Sequence, residues 1–413
     1  MAALPLLERL ARRQADAWCR TALARGTGLH EVVDGVVREL GRCGPADLAL
    51  VFASASFASD LPRLLPLLRQ RLRAQHWLGC LGGGVVGSDT DGTPHELEQD
   101  SALSVTLLHL PGTQLHPFVL EGGELPDLDG PAEPWQAQVG CGAAGMHSML
   151  LLVDPTCPGI NDLINGLDYA YPEAVKVGGL AAAHSAPHGS LLAGDQVRQG
   201  VVGCLLSGTW GLDPVVAQGC KPIGPILEVE QAQRNVVLEV SEGQQRSTPV
   251  AALQQILTGL SPDEREQVRH SLFLGVGQSN FSLEKPAAPA FLVRNLIGVD
   301  PRNGAVAVAE RMRVGQQVRF QLRDGAASKA ELCGLLDGQA QRQNKPLAAL
   351  LFACLGRGQG LHGHADGDVT PCRQRFPEVP IAGAFCQGEI GPVAGSTHLH
   401  GYTASWGFVV PKG

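Results

Sequence analysis

The chain has 413 residues, 44% apolar and 17% charged, with a formal net charge of −8. That length can bury a large core and accommodate two or three domains. The acidic balance leaves no basic stripe, which argues against nucleic acid as a main partner. No apolar run of about 18 residues occurs, so no membrane span is expected.

The first ~40 residues read as helix, with Leu6, Leu7 and Leu10 on one side and arginines on the other. The start is basic and amphipathic, but Glu8 and Asp16 weigh against a transit peptide. A strand–helix–strand unit then recurs. "LALVF" (Leu48 to Phe52), a leucine-rich helix from Leu61 to about Gln75 and "HWLGCLGGGVVG" form the first copy. "MLLLVD" (Met149 to Asp154), a helix near Ile160 to Leu167 and "VKVGGLAAA" form the second. "LAALLFAC" (Leu347 to Cys354) opens the third, which closes with "FPEVPIAGAFCQGEIGP". Each unit carries a glycine at a similar distance from its first strand, namely Gly79, Gly178 and Gly383, read as turns on a common edge. Glycine, at 52 residues, exceeds its usual ~7% and collects at the ends of apolar runs, where turns are expected.

Between these units the pattern is that of antiparallel hairpins. In "QVRFQLRD", Val318, Phe320 and Leu322 face one side and Arg319, Gln321 and Arg323 the other. Ser261-Pro262 with Glu264 predicts a capping box, and Thr370-Pro371 predicts another helix start. "GQSNFSLEKPAAPA" (277–290) lacks periodicity and reads as a loop. The division that fits is an N-terminal helix at 1–29, one half at 30–249 and another at 250–413. The fold class is mixed α/β (α+β), with extended, largely antiparallel sheets flanked by helices.

No catalytic template is present: there is no G-x-S-x-G, H-E-x-x-H, P-loop or G-x-G-x-x-G. "GCLGGGVVG" lacks the Lys-Ser/Thr of a phosphate loop, so no enzyme is expected. His362/His364 and His398/His400 stand at i, i+2, where a strand would aim both rings one way and offer two metal ligands. Metal sites need three or four converging ligands, so no metal is assigned. Cys157-Pro158 is a weak haem signal, and haem remains the alternative to no cofactor. The 11 cysteines, with no C-x-x-C pair, read as free thiols of a reducing, cytoplasmic compartment. Cys354 ends an apolar strand with Arg357 nearby, where a guanidinium would favour thiolate; a buried core thiol is the other reading.

"FLVRNLIGVD", "VRFQLRD", "LLFACLGRG" and "FPEVPIAGAFCQGEIGP" followed by "LHGYTAS" resemble, in order, the C-terminal FIST domain. "WLGCLGGGVVG", "VKVGGLAA" and "VAQGCKPIGP" resemble the N-terminal FIST domain. The resemblance implies two related halves in an αββα-like stack of sheets and a sensory role in signal transduction. It further implies a small ligand, an amino acid or another carboxylate, and a partner protein; some members of the family look like haem-based gas sensors. Asp368 stands where the family often has Glu, and Cys372 where a large apolar residue is common. No kinase, cyclase or receiver segment is fused, so output is expected to pass through a partner or through assembly.

The candidate ligand site joins Arg294, Asn295, Arg323, Asp324, Cys354, Arg357, Gly388 and Glu389. Three guanidiniums would bind a carboxylate through bidentate hydrogen bonds. The structural alternative pairs them with Asp300, Asp324 or Asp368. Glu389, between Gly388 and Gly391-Pro392, has two readings: it braces a turn through backbone N–H groups and Arg357, or it binds a ligand amine. A lone carboxylate there must be hydrated, hydrogen-bonded or paired.

Overall fold

A computed structural model describes residues 17–121, 125–278 and 290–412. Residues 1–16 and most of 277–290 lie outside the described residues, so neither the expected N-terminal helix nor the expected loop is described in full. The chain divides into two compact units. One comprises residues up to Ala217, Leu332–Pro392 and the chain from Ser396; the other is Gln218–Glu331 with Val393–Gly395. The second unit is inserted within the first.

The first unit is built from three copies of one pattern. The first copy comprises β1 (Trp18–Arg25), α1 (Leu29–Leu40), β2 (Ala46–Ser54), α2 (Leu61–Arg69), β3 (Ala74–Gly82), β4 (Gly84–Ser88), β5 (Pro94–Leu97) and β6 (Ala102–His109). The second comprises β7 (Thr113–Leu120), α3 (Glu133–Val139), β8 (Met146–Val153), α4 (Ile160–Ala170), β9 (Val175–Leu180), β10 (Leu191–Ala193), β11 (Gln196–Arg198) and β12 (Val201–Gly208). The third opens with β13 (Trp210–Ala217), and the inserted unit follows.

That second unit holds β14 (Cys220–Pro222), β15 (Leu227–Gln233), β16 (Val236–Glu242), β17 (Gln245–Ser247), α5 (Pro249–Thr258), α6 (Pro262–Ser271), β18 (Leu272–Gly277), β19 (Phe291–Val299), β20 (Val306–Val308) and β21 (Gln317–Arg323). The chain then passes through α7 (Gly325–Ala340) into β22 (Ala348–Cys354), α8 (Gly358–His362), α9 (Val369–Arg375), β23 (Ile381–Cys386), β24 (Glu389–Val393), β25 (Ser396–His400) and β26 (Ala404–Pro411).

Each copy contributes a parallel pair, β2/β3, β8/β9 or β22/β23, with the helical connection that parallel pairing requires. The hairpin after each pair then leaves its own sheet. β4–β5 joins β23, β24–β25 joins β9, and β10–β11 joins β3. The exchange is cyclic and gives three six-stranded sheets of identical order: β1-β6-β2-β3-β10-β11, β7-β12-β8-β9-β24-β25 and β13-β26-β22-β23-β4-β5. Alternation along the central strands splits their side chains between two layers. Leu50, Phe52, Leu150, Leu152, Leu350 and Phe352 enter one core shared by the three sheets, where Phe52 meets Phe352 edge-on at 6.0 Å. The intervening Val51, Leu151 and Leu351 face outward into separate clusters under helices.

The three glycines mark the repeat, for a reason other than turns. Gly79, Gly178 and Gly383 lie within strands opposite Val51, Leu151 and Leu351. A Cβ there would fall 2.1, 1.7 and 1.8 Å from those residues' carbonyl oxygens, so close backbone approach demands glycine.

The mixed α/β class and helix-flanked sheets hold, and the stack of sheets comprises three. The N-terminal expectation is corrected: Trp18–Arg25 is a strand paired along its length with β6, and the first described helix starts at Leu29. The periodic residues Leu6, Leu7 and Leu10 lie outside the described residues.

In the second unit, β21, β15, β16, β20, β19 and β18 pair in a closed ring, since β18 also pairs with β21. Val318, Phe320 and Leu322 fill it, as the alternation predicted. Ser261 and Glu264 form the predicted capping box of α6. The helix predicted at Thr370-Pro371 is α9, which begins one residue earlier, at Val369.

Candidate functional site

The eight predicted site residues fall into two groups, four in each compact unit. Arg294, Asn295, Arg323 and Asp324 belong to the inserted unit. Arg294 donates from Nε to Glu310 (2.9 Å). Asn295 is exposed on β19, and Arg323 is half-buried opposite Cys220. Asp324 accepts from the Ala327 amide (2.6 Å) and caps α7.

Cys354, Arg357, Gly388 and Glu389 belong to the three-sheet unit. Arg357 is 1% exposed and is clamped by Asp368: Nε donates to Oδ2 (2.8 Å) and Nη2 to Oδ1 (2.6 Å). Its Nη1 donates to the Tyr402 carbonyl (3.2 Å). This fork realises the structural pairing and removes Arg357 from a solvent-facing carboxylate site. Burial works to raise the Asp368 carboxyl but is overcome by the Arg357 charge and hydrogen bonds, with His362 adding to them, so Asp368 is held well below the usual range. His362 Nε2 lies 3.2 Å from Asp368 Oδ1.

The swapped hairpin supplies another carboxylate. Glu96 on β5 is 3% exposed, and its Oε1 accepts from the Asp368 and Val369 amides (2.8 and 2.7 Å). Its Oε2 is buried with no hydrogen-bond partner. Burial, then the nearby Asp368 charge, pushes Glu96 up to about 8 against the pull of those amides. Sequence gave no sign of this residue: it sits in a short polar strand, and its partners lie 272 and 273 positions away.

Glu389 opens β24 fully buried. Oε2 accepts from the Thr403 amide (3.1 Å), while the Arg357 guanidinium donates its fork to Asp368. Oε1 has no partner in hydrogen-bond geometry, although the Cys354 thiol adjoins the carboxyl as a weak donor. Burial raises Glu389 well above the carboxylate range despite Thr403, Arg357 and Cys354. Cys354 is pushed up to about 11, first by burial and then by Glu389, which disfavours the thiolate. Gly388 is closely packed, and a Cβ there would lie 3.0 Å from the Leu399 side chain.

The threefold pattern shows how unusual Glu389 is. Gly178, Gly383 and Gly79 pair on their other side with Ile390, Val86 and Leu192. The preceding residues, Glu389, Val85 and Leu191, are therefore equivalent, and all three are fully buried. An acid occupies a position that is aliphatic in the other two copies. The same count along the loops matches Arg357 with Phe57 and Cys157.

Of the histidine pairs, His362 is engaged by Asp368, and His400 Nε2 lies 2.9 Å from the Gly391 carbonyl. Among the described residues no three of His, Cys, Asp or Glu converge as metal ligands.

A mixed three-sheet unit with an inserted β-barrel, carrying a buried ionic cluster where the first copy's hairpin meets the third copy, defines the class of protein. The chain belongs to the FIST family: the FIST N domain matches residues 47–242 and the FIST C domain residues 249–392. It is 32% identical over 371 residues to an uncharacterized protein of Mycobacterium tuberculosis, covering 89% of this chain and 92% of the relative. An uncharacterized protein of Mycobacterium bovis is 32% identical over 375 residues, covering 88% and 90%. An F-box/LRR-repeat protein of Arabidopsis thaliana is 30% identical over 113 residues, covering 26% of this chain and 21% of that protein. FIST domains are associated with sensory signal transduction and small-ligand binding.

Proposed function

We propose that this chain is a non-catalytic sensory protein that binds a small carboxylate-bearing molecule, such as an amino acid, and signals through a partner protein. The observation that supports this reading is the ionic cluster formed where the first copy's hairpin meets the third copy. Arg357, Asp368, His362, Glu96 and Glu389 gather in the core, where the places of Glu389 and Arg357 are taken in the other copies by Val85 and Leu191 and by Phe57 and Cys157. Such a cluster costs stability relative to packed hydrocarbon, and two of its carboxyls keep an oxygen without a partner. Linked polar contacts of this kind can exchange partners, as a two-state sensory element requires.

The reading involves neither haem nor metal. It is tested on full-length protein purified natively from haem-supplemented cells, by native mass and visible absorption spectra. The expected result is a substoichiometric or stoichiometric organic adduct, released on denaturation, and no Soret band. A stoichiometric Soret band lost on replacing a single histidine would overturn it in favour of a haem sensor.

A further inference from the structure

The internal threefold pattern allows two surface cavities of the first unit to be compared position by position. One, of about 290 Å³, is lined by Arg69 at the end of α2, by β7 and by the β10–β11 turn. The other, of about 250 Å³, is lined by Arg373 in α9, by β1 and by the β4–β5 turn. Counting back equally from Gly79 and Gly383 reaches Arg69 and Arg373, and counting on equally from Leu192 and Val86 reaches Asp195 and Asp89. Both cavities therefore carry the same arginine–aspartate couple.

The two couples are in different states. Arg69 donates to the Gly194 carbonyl (3.0 Å) and stands 4.0 Å from Asp195, so the first cavity neutralises its own cation. In the second, Asp89 is instead held by His95 Nε2 (3.0 Å), whose Nδ1 lies 3.1 Å from Asp366. Both ring nitrogens face carboxylates, an arrangement that draws Asp89 to the histidine. Among the described residues Arg373 forms no ion pair, nor does Arg20, which lines the same cavity from β1. Glu39 and Glu378 line the cavity as well and form no ion pair among the described residues. Uncommitted charges of both signs thus border one small space, with Leu40, Ala22 and Pro380 as apolar lining.

We infer that the cavity between β1, the β4–β5 turn and α9 is a binding site for a small zwitterion, taking its carboxylate on Arg373 and Arg20 and its ammonium on Glu39 and Glu378. Guanidiniums suit the carboxylate because they can donate two parallel N–H bonds. His95 keeps the site open by holding the aspartate that closes the equivalent cavity. This assignment rests on the sensory reading above and gives that reading a location outside the buried cluster.

The test is thermal shift of the full chain with an equimolar mixture of the twenty amino acids, beside the same amino acids N-acetylated. Wild type should be stabilised by the free amino acids and little by the acetylated ones, which lack the ammonium. Arg373→Ala should abolish the shift, and Arg69→Ala, in the self-neutralised cavity, should retain it. His95→Gln should weaken apparent affinity about tenfold, the effect of roughly 1.4 kcal/mol, as Asp89 turns to Arg373. A shift that survives Arg373→Ala, or that Arg69→Ala removes, overturns the site. If acetylated or simple carboxylates shift wild type equally, the zwitterion site fails while the sensory reading stands. No shift with any carboxylate sinks both.

Discussion

Glu96 carries two opposed demands: its oxygen is fixed by two amides, while its charge is disfavoured by burial and by Asp368. With an ordinary value of 4.5 unfolded and about 8 folded, the native state binds more protons between those limits. Stability should therefore fall as pH rises through that window, by at most about 1.4 kcal/mol per pH unit for one group. Asp368 acts elsewhere: held low, its contribution is present above the ordinary carboxylate range and is lost in acid. Urea unfolding of wild type between pH 5 and 8 should show a declining midpoint, and Glu96→Gln should flatten the decline. An equal slope in the variant would mean that Glu96 is ionised in the folded chain. Arg357 and Glu389 were legible as candidates because each is a charge set among glycines and apolar residues. Their partners were less so. Asp368 lies 11 positions from Arg357 and was one of the acids considered, whereas Glu96 arrives from the opposite end of the chain.

At the scale of elements, the parallel pairs and their helices follow from short apolar strands alternating with leucine-rich segments. The recurring glycines were visible too, but as turns, because sequence shows spacing and not the carbonyl that lies against each Cα. The hairpin exchange was not visible, since nothing local to β4, β10 or β24 states which sheet's edge will accept it. That exchange puts Glu389 in register with Val85 and Leu191 and yields a prediction. Glu389→Leu strips the buried Thr403 amide of its acceptor, which costs roughly 1–3 kcal/mol. Glu389→Gln keeps an oxygen for that amide and removes the group whose charge burial disfavours, so its urea stability at pH 7 should be unchanged or raised, and Glu389→Leu should fall below it. A loss above about 1 kcal/mol in Glu389→Gln, the size of a broken hydrogen bond, would return the Glu389 charge to a bracing role.

For the molecule as a whole, three exchanged sheets give a core in which each copy is completed by strands of another, so no single copy buries its own sheet edge. The buried charges where the first copy's hairpin meets the third depart from the repeat, and among the described residues one of two equivalent cavities has arginines that form no ion pair. The family's association with small-ligand sensing then has a physical counterpart: charge placed where the internal pattern does not need it. The direct measurement is isothermal titration of the full chain with carboxylate metabolites, amino acids included, and with their uncharged amide counterparts. Saturable binding of a carboxylate, absent for its amide, is the predicted result; no heat with any carboxylate, or equal binding of the amide, would contradict it.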